Sequence, residues 1–215
     1  MAEGCRTIAA LLRRHHHHVA SHTHETDDPC PSCLGRWAEA NSVVHLQELT
    51  AQFIEGQLHA HPHYAGATVD DETEDLIPAL AAINRGGCLT TCSQPGEIGD
   101  GWAQRAMASG YCTEATLNAL VAGCLATDLM VLGLPLGLNF GARVCVSRQG
   151  QTETMWTGYF QDPGEAFAGD STELRTELGD LWCVDVLDPM WGRNDLLWPT
   201  VVAALTDRRA RQFAY

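Results

Sequence analysis

The 215-residue chain contains no lysine, and its 13 arginines are outnumbered by 27 acidic residues. The formal net charge at pH 7 is −14, and no part of the sequence gathers the arginines into a basic stripe. Because binding to the phosphate backbone of nucleic acid needs clustered cations, we expect no nucleic-acid partner.

The sequence also has no long hydrophobic run and nothing that resembles a secretory signal. Its longest apolar region, residues 119–140, is interrupted by Asp128, Pro135 and several glycines, which argues against a membrane span. The apolar stretch 7–12 is too short for a signal peptide and leads into arginines. Without an export signal the nine cysteines are expected to be reduced thiols. We therefore expect a soluble, cytoplasmic protein without a membrane partner.

Histidine is missing beyond position 63, because all ten histidines lie between His15 and His63. This asymmetry separates a His/Cys-rich N-terminal extension, residues 1–40, from a single domain over residues 41–215. Apolar spacing predicts a helix within the extension, over residues 4–21.

From residue 70 onward the apolar pattern alternates between helical and strand spacing. This alternation predicts an α/β fold, in which helices flank a mixed α+β sheet. A turn at residues 148–151 predicts a hairpin and argues against a purely parallel sheet.

Within the extension, Cys30 and Cys33 have the spacing with which two thiolates bind one tetrahedral zinc ion. His18 and His22 lie four residues apart and share a face of the predicted helix, so the four residues make a complete ligand set. Structural zinc is therefore one hypothesis for a cofactor, with His24 as an alternative ligand. The other interpretation is a loop with two reduced cysteines beside a solvated helix.

A second group of histidines, His59, His61 and His63, alternates along the chain. On an extended segment these side chains point to one side, where they could hold a metal. Pro62 and the nearby glycine favour instead a loop with exposed imidazoles.

Two predicted strands, residues 88–92 and 181–187, each end in a polar segment, residues 93–97 and 188–195. In α/β sheets, ligands bind in the crevice beyond the carboxyl ends of strands. The two segments share such a crevice if their strands are parallel near neighbours.

These two segments supply the candidate site residues. Arg193 is a bidentate donor for a carboxylate or phosphate, and Trp191 offers a flat stacking surface. Neutral hydrogen bonds come from Ser93 and Gln94. The candidate general bases are Glu97 and Asp188. The competing interpretation is structural: Pro-Gly and Asp-Pro form turns, Trp191 belongs to the core, and Arg193 pairs with Asp188 or Asp195.

The segments "RWAEANSVVHLQELTAQFIEGQLHAHPHYAG" and "ETEDLIPALAAINRGGCLTTCSQPGE", followed by "QRAMASGY" and "DPMWGRNDLLWP", carry a resemblance to a known family. Trp37, Asn84 and residues 90–97 are among the matching positions. The sequence resembles an uncharacterised actinobacterial, Streptomyces-type domain family over roughly residues 36–207. The resemblance supports the integrity of the fold and the two polar segments, and it implies no activity.

The first functional hypothesis is a protein that binds a small anionic or amide-bearing molecule between segments 93–97 and 188–195. Carboxylate acid/base catalysis would make it an enzyme. The alternative is a non-enzymatic interaction or regulatory protein, in which an acidic face meets a basic protein partner and zinc staples the N-terminal module.

Overall fold

The computed structural model describes residues 30–62, 64, 68–138, 143–156, 162–167 and 171–207. The helix expected over residues 4–21 lies outside these ranges, and so do the candidate zinc ligands His18 and His22. The helices of the described ranges are α1 (Pro31–Ala38), α2 (Val43–Ile54), the 3₁₀ helix Asp71–Leu76, α3 (Ile77–Arg85), α4 (Glu114–Cys124), α5 (Pro163–Phe167), α6 (Thr172–Gly179) and α7 (Leu197–Thr206). The strands are β1 (Cys88–Gln94), β2 (Glu97–Gly99), β3 (Trp102–Cys112), β4 (Met130–Pro135), β5 (Val144–Gln149), β6 (Thr152–Trp156) and β7 (Trp182–Trp191).

Local signals explain where several of these elements begin. The Ser42 hydroxyl accepts a hydrogen bond from the backbone N–H of His45 at 3.2 Å, which caps α2. The Thr113 hydroxyl caps α4 in the same way, by accepting from the backbone N–H of Thr116 at 3.2 Å. The hairpin predicted near residue 150 is present as β5–β6, and it turns at Gly150, whose φ is +57°.

All strand pairings in the described ranges are antiparallel, and the strand order is β4-β7-β3-β5-β6. Strand β3 is central, because its C-terminal part lies between β1 and β7. Its first three residues lie between β2 and β5. The predicted combination of helices and a sheet is confirmed as an α+β fold, but the sheet is antiparallel. The alternation of elements along a chain does not specify which strands become neighbours, so strand direction could not be predicted from it.

The two polar segments start later than predicted, because β1 continues to Gln94 and β7 continues to Trp191. The register between β7 and β3 shifts after Leu187, and the bulge accommodates Pro189, which has no N–H to donate to a ladder. Pro189, which in the sequence indicated the end of the strand, therefore lies within β7.

The main core lies between the helices and the sheet, and it includes α1. Cys33 and Trp37 of α1 are buried in the same cluster as Leu46 and Leu49 of α2. The last part of the predicted extension, residues 1–40, thus packs against the helices that follow it. Burial of each such leucine stabilises the fold by about 1.5–3 kcal/mol.

A second, smaller core joins side chains of β3, β5 and β7. It consists of Met107, Val146 and Leu187, with Cys92 and Val144 packed against them. In the part of the chain that the structure describes, no helix is long and apolar enough to cross a membrane.

Candidate functional site

The polar segments after β1 and β7 come together at one edge of the sheet. Strands β1 and β7 are both antiparallel to β3 and lie on opposite sides of it, so they run parallel to each other. The backbone N–H of Gly96 donates to Asn194 Oδ1 at 3.0 Å, and the Trp198 indole donates to the same oxygen at 2.7 Å. Gly96 packs so closely on the Arg193 backbone that a Cβ atom would overlap it. The two segments are therefore in direct contact at this point.

Arg193 and Asp188 form an ion pair at this edge. Arg193 Nε donates to Asp188 Oδ2 at 2.6 Å, and Arg193 Nη2 donates to Asp188 Oδ1 at 2.7 Å and to Asp128 Oδ1 at 2.6 Å. Asp188 is fully buried, and its Oδ1 also accepts from the Met190 backbone N–H at 2.8 Å. Hydrogen bonds to Asp188 and then to Asp128 raise the pKa of Arg193 above its usual range. The pairing with Asp188 that the sequence left open is thus present, and the catalytic role of Asp188 and the ligand-binding role of Arg193 stay predictions.

The other residues predicted at this edge have separate surroundings. Gln94 Nε2 donates to the backbone carbonyls of Arg105 at 2.7 Å and Val146 at 3.1 Å, which joins β1 to β3 and β5. The Trp191 ring is contacted by the guanidinium groups of Arg105 and Arg148, whose Cζ atoms lie 4.2 Å and 4.9 Å from the ring centroid. Glu97 is exposed on β2. The catalytic role of Glu97 and the ligand-binding roles of Gln94 and Trp191 stay predictions.

A cleft of about 190 Å³ lies beside β1. Among the candidate site residues of the two polar segments, Ser93 lines this cleft. Its walls come from α2, the 3₁₀ helix, α3 and β1, and from residues 61–70 between α2 and the 3₁₀ helix. The lining residues are Thr50, Phe53, Ile54, His61, Tyr64, Val69, Asp70, Thr73, Leu80, Thr90, Thr91, Cys92 and Ser93. We call this space the α2–β1 cleft.

A buried amide orients one hydroxyl of the α2–β1 cleft. Asn84 is fully buried, and its Oδ1 accepts from the Thr90 backbone N–H at 3.1 Å. The other end of the amide is therefore the NH₂ group, which donates to Thr90 Oγ1 at 2.7 Å and to the Leu80 carbonyl at 2.9 Å. Because Thr90 Oγ1 accepts from Asn84, the hydroxyl hydrogen is directed away from Asn84.

Tyr64 and Asp70 form a polar pair at the cleft. Burial raises the pKa of Tyr64 to about 12, and its hydrogen bond to the Asp70 carboxylate adds to the shift. Tyr64 therefore stays protonated at neutral pH and donates to Asp70. Asp70 is exposed, and its carboxylate retains lone pairs for another donor.

The prediction of exposed imidazoles was wrong for His61, which is 8% exposed. Its ring lies against aromatic rings, with centroid distances of 4.7 Å to Trp37, 5.1 Å to Phe53 and 5.7 Å to Phe167. Neighbouring proline and glycine suggested exposed imidazoles, but the aromatic partners come from three helices, α1, α2 and α5, which pack around the His61 ring. His63 lies outside the described residues.

Cys30 and Cys33, the remaining candidate zinc ligands, lie at the N-terminal end of α1. Cys30 is the N-cap residue and Cys33 is fully buried in the first turn. The Cys30 sulfur lies 3.0 Å from the Ser32 hydroxyl, and the His59 backbone N–H donates to the Cys33 sulfur at 3.4 Å. Among residues with a described position, no three His, Cys, Asp or Glu side chains gather into a metal site. The zinc hypothesis therefore depends on His18 and His22.

We expect Cys30 to react with iodoacetamide faster than Cys92 at pH 7. The hydrogen bond with Ser32, with further hydrogen bonds from Cys33, lowers the pKa of Cys30 to about 6, so its reactive thiolate predominates above that pH. Burial, the largest cause, raises the pKa of Cys92. The measurement is the alkylation rate of each cysteine against pH by peptide mass spectrometry. Ser32→Ala is the control, and it should move the Cys30 midpoint upward; a midpoint near 9 in the unmodified chain would contradict the prediction.

Comparison with known proteins gives the extent of the domain. A family model described as "Domain of unknown function (DUF6919)" matches residues 33–208. This range confirms the resemblance to an uncharacterised domain family, and it includes both the α2–β1 cleft and the edge at Arg193. A search of the curated proteins found no match.

Proposed function

The chain belongs to the DUF6919 family, and we propose that it binds a compact, uncharged, amide-bearing molecule in the α2–β1 cleft. The sequence suggested an anionic or an amide-bearing ligand. The amide is favoured because Arg193, the expected anion donor, is engaged by two carboxylates at the edge of the sheet. Among the described lining residues of the cleft, Asp70 supplies a negative charge and no arginine contributes.

The observation that carries the proposal is a directed donor and a directed acceptor in one cleft. Asn84 holds the Thr90 oxygen as an acceptor, so the Thr90 hydroxyl hydrogen is available to a ligand carbonyl. The Asp70 carboxylate, which also lines the cleft, accepts from Tyr64 and can accept from a ligand N–H. An amide presents one acceptor and one donor in the same plane, which matches this pair.

The remaining walls favour a small apolar body. Phe53, Ile54 and Leu80 are buried and line the cleft beside the polar pair. The volume of about 190 Å³ is smaller than the ~300–1,000 Å³ of drug-sized and cofactor sites. The cleft thus suits a ligand of the size of a single aromatic ring with one amide group.

The test uses three probes of equal size and different charge: benzamide, benzoate and benzylamine. We expect benzamide to bind most tightly when affinities are measured by NMR titration of the labelled full chain. Thr90→Val removes a neutral hydrogen bond and should weaken benzamide about fivefold. Asp70→Asn removes a charged acceptor and should weaken it about tenfold.

Matched controls separate these effects from general damage. Thr154→Val makes the same change on the exposed strand β6, and Asp71→Asn neutralises the acid next to Asp70. Neither should change benzamide affinity by more than about twofold, a small free-energy change. Tighter binding of benzoate would favour the anionic ligand, and absence of binding by all three probes would reject the amide proposal.

A second candidate function, binding of a basic protein partner, is favoured by one observation. Five exposed acids lie at the mouth of the cleft and along the 3₁₀ helix: Asp70, Asp71, Glu72, Glu74 and Asp75. Binding of an arginine-rich peptide to this surface should weaken steeply as salt rises, since exposed charges are screened. Benzamide binding should respond little to salt, which distinguishes the two functions.

A further inference from the structure

The cysteine pair at the start of α1 has no role in the proposed amide site, and its geometry points to a second chemistry. We propose that Cys30 and Cys33 form a thiol–disulfide exchange site whose substrate is a disulfide. None of the eight described cysteines is in a disulfide, and among them this pair has C-x-x-C spacing at a helix N-terminus.

The two thiols are close together and belong to one helical turn. Cys30 is the N-cap of α1, an eight-residue helix, and Cys33 lies three residues later. The Cys30 sulfur lies 3.0 Å from the hydroxyl of Ser32, which stands between the two cysteines in the same turn. The pair therefore shares one helical turn, which is the placement from which we expect a disulfide to form.

The two cysteines differ in access. Cys30 is half-buried and reachable from solvent, whereas Cys33 is fully buried in the main core. The backbone around His59 passes beside both, because the Cys30 N–H donates to the His59 carbonyl at 2.7 Å and the His59 N–H donates to the Cys33 sulfur. An external disulfide can thus reach Cys30, and Cys33 can be reached from Cys30.

This asymmetry assigns the steps. The Cys30 thiolate attacks one sulfur of the substrate disulfide, the substrate S–S bond breaks, and the departing thiolate takes a proton from water. Cys33 then loses its proton to water and attacks the Cys30 sulfur of the mixed disulfide. The second substrate sulfur departs as a thiolate and takes a proton from water, and the Cys30–Cys33 disulfide forms. Two electrons and two protons pass from the dithiol to the substrate, so the exchange balances.

The test uses the full chain, reduced and equilibrated in buffers of defined reduced and oxidised glutathione. Cleavage after Arg14 and Arg36 releases residues 15–36, a peptide whose cysteines are Cys30 and Cys33 alone. We expect this peptide to lose two hydrogens reversibly as the oxidised fraction rises. The half-buried thiols of Cys92 and Cys145 are internal controls and should stay reduced under the same conditions.

Substitutions assign the attacking and resolving sulfurs. Cys33→Ser should trap one glutathione on Cys30, and Cys30→Ser should abolish both the adduct and the disulfide. Because Cys33 is fully buried, Cys33→Ala serves as the trap if the serine variant does not fold. If glutathione labels Cys33 in the Cys30→Ser variant as fully as it labels Cys30 in the Cys33→Ser variant, the assignment is overturned.

Two further arms separate the substrates and the zinc alternative. If the substrate is a protein disulfide, a catalytic amount of this protein should accelerate the reduction of insulin by dithiothreitol. If the substrate is small, glutathione disulfide should react and insulin should not. Failure of both reactions would overturn the proposal. Bound zinc in the native mass spectrum would also overturn the proposal if two conditions hold: the zinc is lost in Cys30→Ser, and it protects residues 15–36 from oxidation. That result would favour the zinc-stapled N-terminal module.

Discussion

Replacement of Asp188 by asparagine is expected to lower the free energy of unfolding by about 3 kcal/mol, the lower part of the range for breaking a buried ion pair. Asp188 is fully buried and accepts two hydrogen bonds from Arg193 and one from the Met190 backbone. Asparagine keeps the shape and one acceptor but removes the charge that balances the guanidinium. The change is measured by urea unfolding of the two proteins.

Asp195→Asn is the matched control for this substitution. Asp195 is exposed and lies seven positions further along the same segment, so its replacement should change stability by less than about 0.5 kcal/mol. The result also tests the sequence hypothesis for this edge. If Asp188→Asn leaves stability unchanged and removes a ligand-dependent activity, the carboxylate is a catalytic group and not a structural one.

The second large effect is expected for Asn84→Ala, which should lower the free energy of unfolding by about 2–4 kcal/mol. The substitution deletes hydrogen bonds to Leu80 and Thr90 and leaves the buried Thr90 backbone N–H without its acceptor. It also frees the Thr90 hydroxyl to rotate, so benzamide affinity should fall in the same variant. Thermal or urea unfolding gives the first quantity and NMR titration gives the second.

Asn118→Ala is the control, because Asn118 is exposed on α4 and alanine favours a helix. That variant should be as stable as the unmodified chain or slightly more stable. Asn84→Ala with unchanged stability would show that water replaces the amide. In that case Asn84 would not be needed to direct the Thr90 hydroxyl, and the amide ligand would lose its main support.

The relation between the two proposals can be tested in one protein. The α2–β1 cleft and the cysteine pair are linked through residues 59–61, since His59 contacts both cysteines and His61 lines the cleft. The amide site nevertheless depends on Thr90 and Asp70, and the exchange site depends on Cys30. Thr90→Val should therefore leave glutathione exchange intact, and Cys30→Ser should leave benzamide binding intact.

Much of the secondary structure could be predicted because its signals are local. Ser42 and Thr113 cap the helices that follow them, and Gly150 turns the hairpin, through contacts within a few residues. The polar segments after β1 and β7 were also recognisable, because Pro-Gly and Asp-Pro interrupt apolar runs. The sequence by itself thus determined which elements form and which segments join them.

The tertiary structure decided what those segments contact. Asp188 and Arg193 have the composition of a ligand site in sequence, and the additional pairing of Arg193 with Asp128 depends on where two separate segments meet. The α2–β1 cleft was missed because its lining runs from Thr50 to Ser93 and crosses four elements. Periodicity and turn propensity act over a few residues, whereas burial and the direction of a hydroxyl are set by packing between distant ones. Only the fold could therefore show that Thr90 lines the α2–β1 cleft and that Asp188 is buried beside Arg193.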